Sequence, residues 1–197
     1  DTNIKQPGLT QKESSLSAPV GLERIAHCND QSAVQYAKTF YREHYYFYDD
    51  PEPKMTDLLY TSDFKQAITN HAECVGDNGI CNLHFDPWSN AQDGYADGEI
   101  DYSVQKLDAE TLSVDLNYQF RVHSTLPARS QMVSLLLKRA ESEQCWKLDD
   151  MLLPDRTSMK AMMKNDYEHF YGYISQQKND QIRALQILDE YIKDLTL

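Results

Sequence analysis

Glycine is scarce in this sequence, seven in 197 residues, which leaves little scope for a backbone cradle around a phosphate. The GxSxG elbow of serine hydrolases and the HExxH helix of zinc peptidases are both missing. No stretch approaches the ~18–20 consecutive apolar residues of a membrane-spanning helix. Basic residues are also few: 19 Lys and Arg stand against 31 Asp and Glu, a net charge of -12. A field of that sign repels phosphate backbones and anionic headgroups, so it argues against nucleic acid and against electrostatic membrane binding. Another protein with a basic surface, or a cationic ligand, suits it, although acidity also serves solubility alone. No motif implies a cofactor.

What the chain does have is a full complement for a packed domain. Apolar residues make up 41% and aromatics 11%, with 13 tyrosines. Its four cysteines, Cys28, Cys74, Cys81 and Cys145, are scattered with no CxxC pair, a poor zinc pattern. An even number suits bridges better than a cysteine nucleophile. Cys74 and Cys81 flank VGDNGI, whose Asn78-Gly79 pair is a turn signal, so a local bridge is the natural choice. That leaves Cys28 with Cys145, although spacing alone keeps the other pairings open. Two disulfides imply an oxidising compartment, periplasmic or otherwise extracytoplasmic. The polar opening DTNIKQPGLTQKESSLSAP reads as a tether left by a removed signal peptide or by a lipid anchor upstream of Asp1. An artificial start would leave the same end.

Three segments are expected: a tether over 1–22, an α+β domain over 23–155, and a helical hairpin over 156–197. Asn29 or Asp30 can cap a helix through SAVQYAKTFYREHYYFY, with Val34, Ala37, Phe40, Tyr41, Tyr45 and Tyr48 on one stripe. Pro51 and Pro53 stop it. Thr56 and Ser62 can cap two short helices. From Glu99 the period becomes two, through Ile100, Tyr102 and Val104. After a turn at Asp108–Glu110, Leu112, Val114, Leu116, Tyr118, Phe120 and Val122 alternate with Ser113, Asp115, Asn117, Gln119 and Arg121. Such alternation marks an antiparallel strand with one wet face. MVSLLLKRA and CWKLDDMLL supply two more strands, giving a sheet curled over the first helix. Met159, Met162, Met163, Phe170 and Ile174 then mark one helix as a packing face. Ile182, Leu185, Leu188 and Ile192 mark a second, with Asp180 as its cap.

FYREHYYFY, YTSDF, FDPWSNAQD and WKLDDM follow one another in the order of a known family. Over residues 30–152 the chain resembles an uncharacterised family of bacterial envelope proteins, some of them lipoproteins, in the nuclear-transport-factor-2-like superfamily. Asp86-Pro87, Gln92-Asp93 and the segment from Trp146 to Asp150 carry the likeness. Trp88 departs from the family, which usually has Phe there, and the C-terminal hairpin lies outside the match. The resemblance implies a cone-shaped α+β fold, with a curved antiparallel four-stranded sheet wrapped on helices and a pocket at its wide end. It implies no function, because the same cone serves enzymes, adaptors and inhibitors.

The loop HFDPWSNAQDGYADGEID gathers acids. Asp86, Asp93, Asp97, Glu99 and Asp101 offer oxygens to calcium, but the ligand spacing of an EF-hand is not met, and no metal is expected. The simpler reading is a structural loop of Asp86, Trp88, Gln92 and Asp93, with the acids bonding loop amides and Trp88 packed underneath. The superfamily's enzymes place acid-base groups inside the cone, and Tyr102, Tyr118, Asp101, Asp115 and His123 are the candidates here. Asp101 and Asp115 fall on the polar side of their strands, the tyrosines read as core, and His123 stands at a strand end. An enzyme is not expected.

Aromatics in Tyr41, Tyr45, Tyr46, Phe47 and Tyr48 exceed what one buried face requires, with Tyr46 and Phe47 expected to point off the stripe. Tyr45, Tyr46, Phe47, Asp49 and Asp50 are therefore the candidate partner-binding surface. The leading expectation is a periplasmic protein-binding domain, an inhibitor or immunity protein against a secreted toxin of the type VI effector kind. The rivals are a lipid-anchored accessory subunit of an envelope complex, and a cone-pocket small-ligand binder or enzyme.

Overall fold

A computed structural model describes residues 28–48, 56–76, 81, 83–140 and 145–195. The tether and the acidic pair Asp49 and Asp50 lie outside the described residues. The chain forms α1 (Asp30–Glu43), α2 (Thr56–Leu59), α3 (Ser62–Gly76), β1 (Tyr95–Lys106), β2 (Thr111–Arg121), β3 (Arg129–Arg139), β4 (Trp146–Leu152) and α4 (Met159–Leu195). This is an α+β fold with one antiparallel sheet in the order β1-β2-β3-β4. No helix among the described residues is long and apolar enough to cross a membrane.

Asn29 opens α1 with a reciprocal cap. Its side chain accepts from the Ser32 amide at 3.0 Å, while its own amide donates to Ser32 Oγ at 3.0 Å. The helix stops at Glu43, shorter than the aromatic run suggests. His44 closes it and residues 45–48 turn, which frees the Tyr45 carbonyl to accept from the Trp88 indole at 2.9 Å. A continuing helix would have committed that carbonyl to the next turn. The cap of α3 is Thr61 rather than Ser62, with the Phe64 amide donating to Thr61 Oγ1 at 3.3 Å.

The alternation in β2 buries Leu112, Val114, Leu116, Tyr118 and Phe120 against Val133, Leu135 and Leu137 of β3. Two residues break the pattern. Ser113 is buried on the expected wet face, and Val122 is exposed just past the strand end. Helix α1 lies on β1 and β2, with Ala33, Ala37 and Phe40 turned to the core. The Asp108 turn closes β1 to β2, its carboxylate accepting from the Glu110 and Thr111 amides at 2.8 Å.

Both bridges form as the spacing suggested. Cys28 pairs with Cys145 across 117 residues, and Cys74 with Cys81 across seven. The long bridge joins the chain just before α1 to the chain just before β4.

The expected C-terminal hairpin is not there: residues 159–195 form a single helix. Asp180 sits inside it rather than capping a second one, and accepts from Gln176 Nε2 one turn back at 3.0 Å. No proline interrupts the run, and its one glycine, Gly172, costs only about 1 kcal/mol. The first turns are tied down. Met159 and Met163 are fully buried, and α4 packs mainly against α3. A bulge in β4 sets the ionic anchor. Leu136 pairs with Asp150 but Leu137 with Leu148, so Asp149 is the extra residue, re-aimed towards the helix. Its carboxylate meets Lys160 at 3.0 Å, Lys138 at 3.1 Å and Thr61 at 2.8 Å. Lys160 also reaches Asp63 on α3 at 3.2 Å.

Burial works against ionising Asp149, but hydrogen bonds from Lys160, Thr61 and Lys138 outweigh it and hold the carboxyl below its usual range. Burial likewise opposes the charge on Lys160, and its bonds to Asp149 and Asp63 hold its ammonium above the usual lysine range. The sign for Asp149 is that of a depressed acid. Its contribution is present above about pH 4 and is lost as pH falls through the lower folded value. For Lys160 it is present below about pH 10.4 and lost as pH rises through the raised value. Asp149→Asn should therefore flatten the acid limb of stability against pH in urea titrations; an unchanged limb would rule the anchor out. Replacing Cys28 and Cys145 together by alanine should cost about 5 kcal/mol, and Cys74 with Cys81 about half that, by loop-closure entropy. Equal losses in denaturant midpoints would contradict this ranking.

Candidate functional site

The loop between α3 and β1 folds on Asp86. Its amide donates to the Ala91 carbonyl at 3.0 Å, and its carbonyl accepts from the Asn90 amide at 2.8 Å. Asn90 takes a left-handed φ of 50°, a conformation asparagine tolerates better than most residues. The Asp86 carboxylate is fully engaged. Oδ1 accepts from the Trp88 amide at 3.0 Å, and Oδ2 from Tyr45 at 2.6 Å and Ser89 at 3.1 Å.

Trp88 is buried and ties this loop to the rest. Its indole donates to Tyr45, and its carbonyl accepts from the Tyr118 hydroxyl of β2. Gln131 of β3 donates to the neighbouring Ser89 carbonyl at 3.1 Å. Around the indole stand Tyr41 at 4.9 Å, edge-on, Tyr45 at 5.7 Å, stacked, and Phe40 and Phe47 at 6.2 Å. Burial, then the bond to Asp86 and its charge, push the Tyr45 phenol far above its usual range. Burial also raises Tyr41 and Tyr118, with the Asp86 charge adding to both. These phenols stay neutral donors at any physiological pH.

Beside this cluster opens a cleft of about 620 Å³. Tyr45, Tyr46, Tyr48, His84, Phe85 and Gln92 are among the residues that line it. Tyr46 is 67% exposed, its ring edge-on to Tyr45 at 5.0 Å, so the rim is aromatic and open. Gly94 forms part of the wall at φ 131°, and a Cβ there would stand 2.2 Å from the Phe120 ring. Only glycine fits.

The structure sorts the sequence candidates. Tyr45 and Tyr46 come together at the cleft. Phe47 does not join them: it is 3% exposed and packs on Phe40, Tyr60 and Phe64. The turn after α1 swings it inward, which corrects the expectation that it points outward. Asp86 and Trp88 meet in the loop, Gln92 reaches the cleft wall, and Asp93 is exposed. Asp97 is taken by Arg121 at 2.7 Å. Among the described residues no three His, Cys, Asp or Glu side chains gather to hold a metal. The acid-base candidates are divided by the pleat. Tyr102 and Tyr118 share the face of Leu116, whereas Asp101 and Asp115 lie on the opposite one. Tyr102 carries the Lys38 ammonium 5.1 Å from its ring centre, and His123 pairs with Thr125 in an exposed loop. Sequence reasoning missed His84, Phe85 and Gly94; their only signal was adjacency to the Asp-Pro and Gln-Asp pairs.

No family model matches this chain, and no curated protein matches it.

Asp86→Ala should strand the Trp88 amide and the Tyr45 and Ser89 hydroxyls, a loss of roughly 2–4 kcal/mol in urea unfolding. Asp86→Asn keeps an acceptor and should lose less. A variant of wild-type stability at Asp86→Ala would show that the loop is held by packing alone.

Proposed function

We propose that this chain is an extracytoplasmic protein-binding domain that engages its partner at the aromatic cleft. One observation carries the reading: Tyr46 stands on an open rim, backed by Tyr45, whose ring is already fixed through Asp86 and Trp88. Tyrosines held in place before binding give large contact area at small entropic cost, the usual make-up of an interface anchor. The net charge of -12 favours a partner with a basic surface. Two disulfides support an oxidising compartment. Asp86 has both oxygens engaged in holding the loop, so it serves as an anchor rather than as a base. Among such roles an inhibitor or immunity protein against a secreted toxin fits best: a rigid domain with a fixed aromatic rim works by occupying its partner. The cone of the nuclear-transport-factor-2-like superfamily is our assignment for the fold, supported by the four-stranded meander bulged in β1 and β4 beneath α1.

A second reading has its own support. A cleft of about 620 Å³ lies within the range of small-molecule sites, and its lining of tyrosines with His84, Asp86 and Gln92 suits a small ligand that carries hydrogen-bonding groups.

The oxidised protein should capture a stoichiometric protein from envelope or secreted fractions, and Tyr46→Ala should weaken that capture at least tenfold with its unfolding midpoint unchanged. Capture indifferent to Tyr46→Ala would remove the cleft from the interface. A small molecule seen by native mass spectrometry, with no protein captured, would favour the second reading.

A further inference from the structure

Beyond Tyr171, whose hydroxyl still donates to Glu73 of α3 at 3.4 Å, the helix α4 leaves the domain. Every residue from Tyr171 to Leu188 is exposed, and the helix runs on to Leu195. The 25 residues from 171 to 195 span about 37 Å. A solvated helix of that length draws little stability from propensity alone, because helices in proteins depend on packing an apolar face. This one has such a face. Tyr171, Ile174, Leu185 and Leu188 fall on alternating three- and four-residue steps with Lys178 and Gln181 between them, and the spacing continues in the sequence to Ile192 and Leu195. Ile174 is 42% exposed, Leu185 65% and Leu188 54%, with Ile182 beside them at 46%. A repeat of seven with apolar first and fourth positions is the pattern of paired helices.

We infer that the projecting half of α4 pairs antiparallel with the same segment of a second copy of this chain. Three observations select that occupant. First, charge does not oppose it. Lys178, Arg183 and Lys193 against Asp180, Asp189, Glu190 and Asp194 leave a net of -1 over 171–195, while the whole chain carries -12. Second, the stripe complements itself in one orientation. Centred at the level of Arg183, an antiparallel pair sets Lys178 against Leu188 and Gln181 against Leu185. Each polar position then meets a leucine, and the lysine stem packs on it while its ammonium reaches water. A parallel pair would set Lys178 on Lys178. Third, the area suffices. The exposed parts of Tyr171, Ile174, Ile182, Leu185 and Leu188 amount to roughly 500 Å² per copy, so their burial alone reaches about 1,000 Å² for the pair. The pairing is independent of the cleft, and either can hold without the other.

Sedimentation equilibrium of the oxidised protein at up to about 100 µM should give twice the chain mass of 22.8 kDa. The double variant Leu185→Glu, Leu188→Glu should give the single mass, with the unfolding midpoint of the disulfide-bonded domain retained. A monomeric wild type, or a dimer untouched by the double variant, overturns the proposal, and the stripe then serves some other partner or none. Orientation is read separately with a spin label at Gln176→Cys. Antiparallel pairing puts the two labels about 21 Å apart along the axis. A distance near the ~10 Å of side-by-side helices would overturn the antiparallel register.

Discussion

Trp88 brings three distant parts of the chain to one point through its own polar atoms. Its amide belongs to the Asp86 loop, its indole nitrogen to the turn after α1, and its carbonyl to β2. The bond to Tyr118 is buried and the other two are half-buried, where an unmet donor or acceptor costs more than a made bond gains. The indole therefore cannot shift without stranding several groups at once. The cleft inherits this rigidity, because Tyr45 is clamped between the indole face and the Asp86 carboxylate. The shape of the cleft depends on a loop whose geometry is decided by the core.

The second fixed point is the bulge in β4. By adding one residue to the strand, it turns Asp149 out of the ladder and into reach of Thr61, Lys138 and Lys160. One carboxylate thereby joins the start of α3, the sheet and the start of α4. The helix is thus held along its first third: Met159 and Met163 are buried, Lys160 and Lys164 reach Asp63, and Tyr171 bonds Glu73. Residues 172–188 are exposed, which is why a stripe of leucine and isoleucine there calls for an external surface.

Much of the architecture was legible because the relevant signals are local. The two-residue alternation of Leu112 through Phe120 specified β2, Asn29 was one of two cap candidates before α1, and the Asn-Gly signal in the sequence singled out one disulfide. What failed was decided at a distance. Phe47 looked surplus on a helix that in fact ends before it, and the end is set by an indole more than forty residues away. The hairpin failed for the opposite reason. Polar residues around Gln177 to Gln181 read as a break, yet nothing there prevents helical dihedrals, and solvent tolerates polar side chains along an exposed helix. At the cleft, Tyr45 and Tyr46 were found from composition. His84 and Phe85, which line the same cleft, were not, since a single sequence carries no sign of which loop residues come together.

The bridge from Cys28 to Cys145 makes a covalent ring of everything between them, α1 through β3, while β4 and α4 hang outside it. A protease that nicks any one bond inside the ring releases nothing, for both fragments stay attached through sulfur. One cut in α4, by contrast, frees the projecting segment and leaves the ring whole. In an oxidising environment, damage to this molecule is thus graded by position: the arm is expendable, and the body that bears the cleft survives a single break.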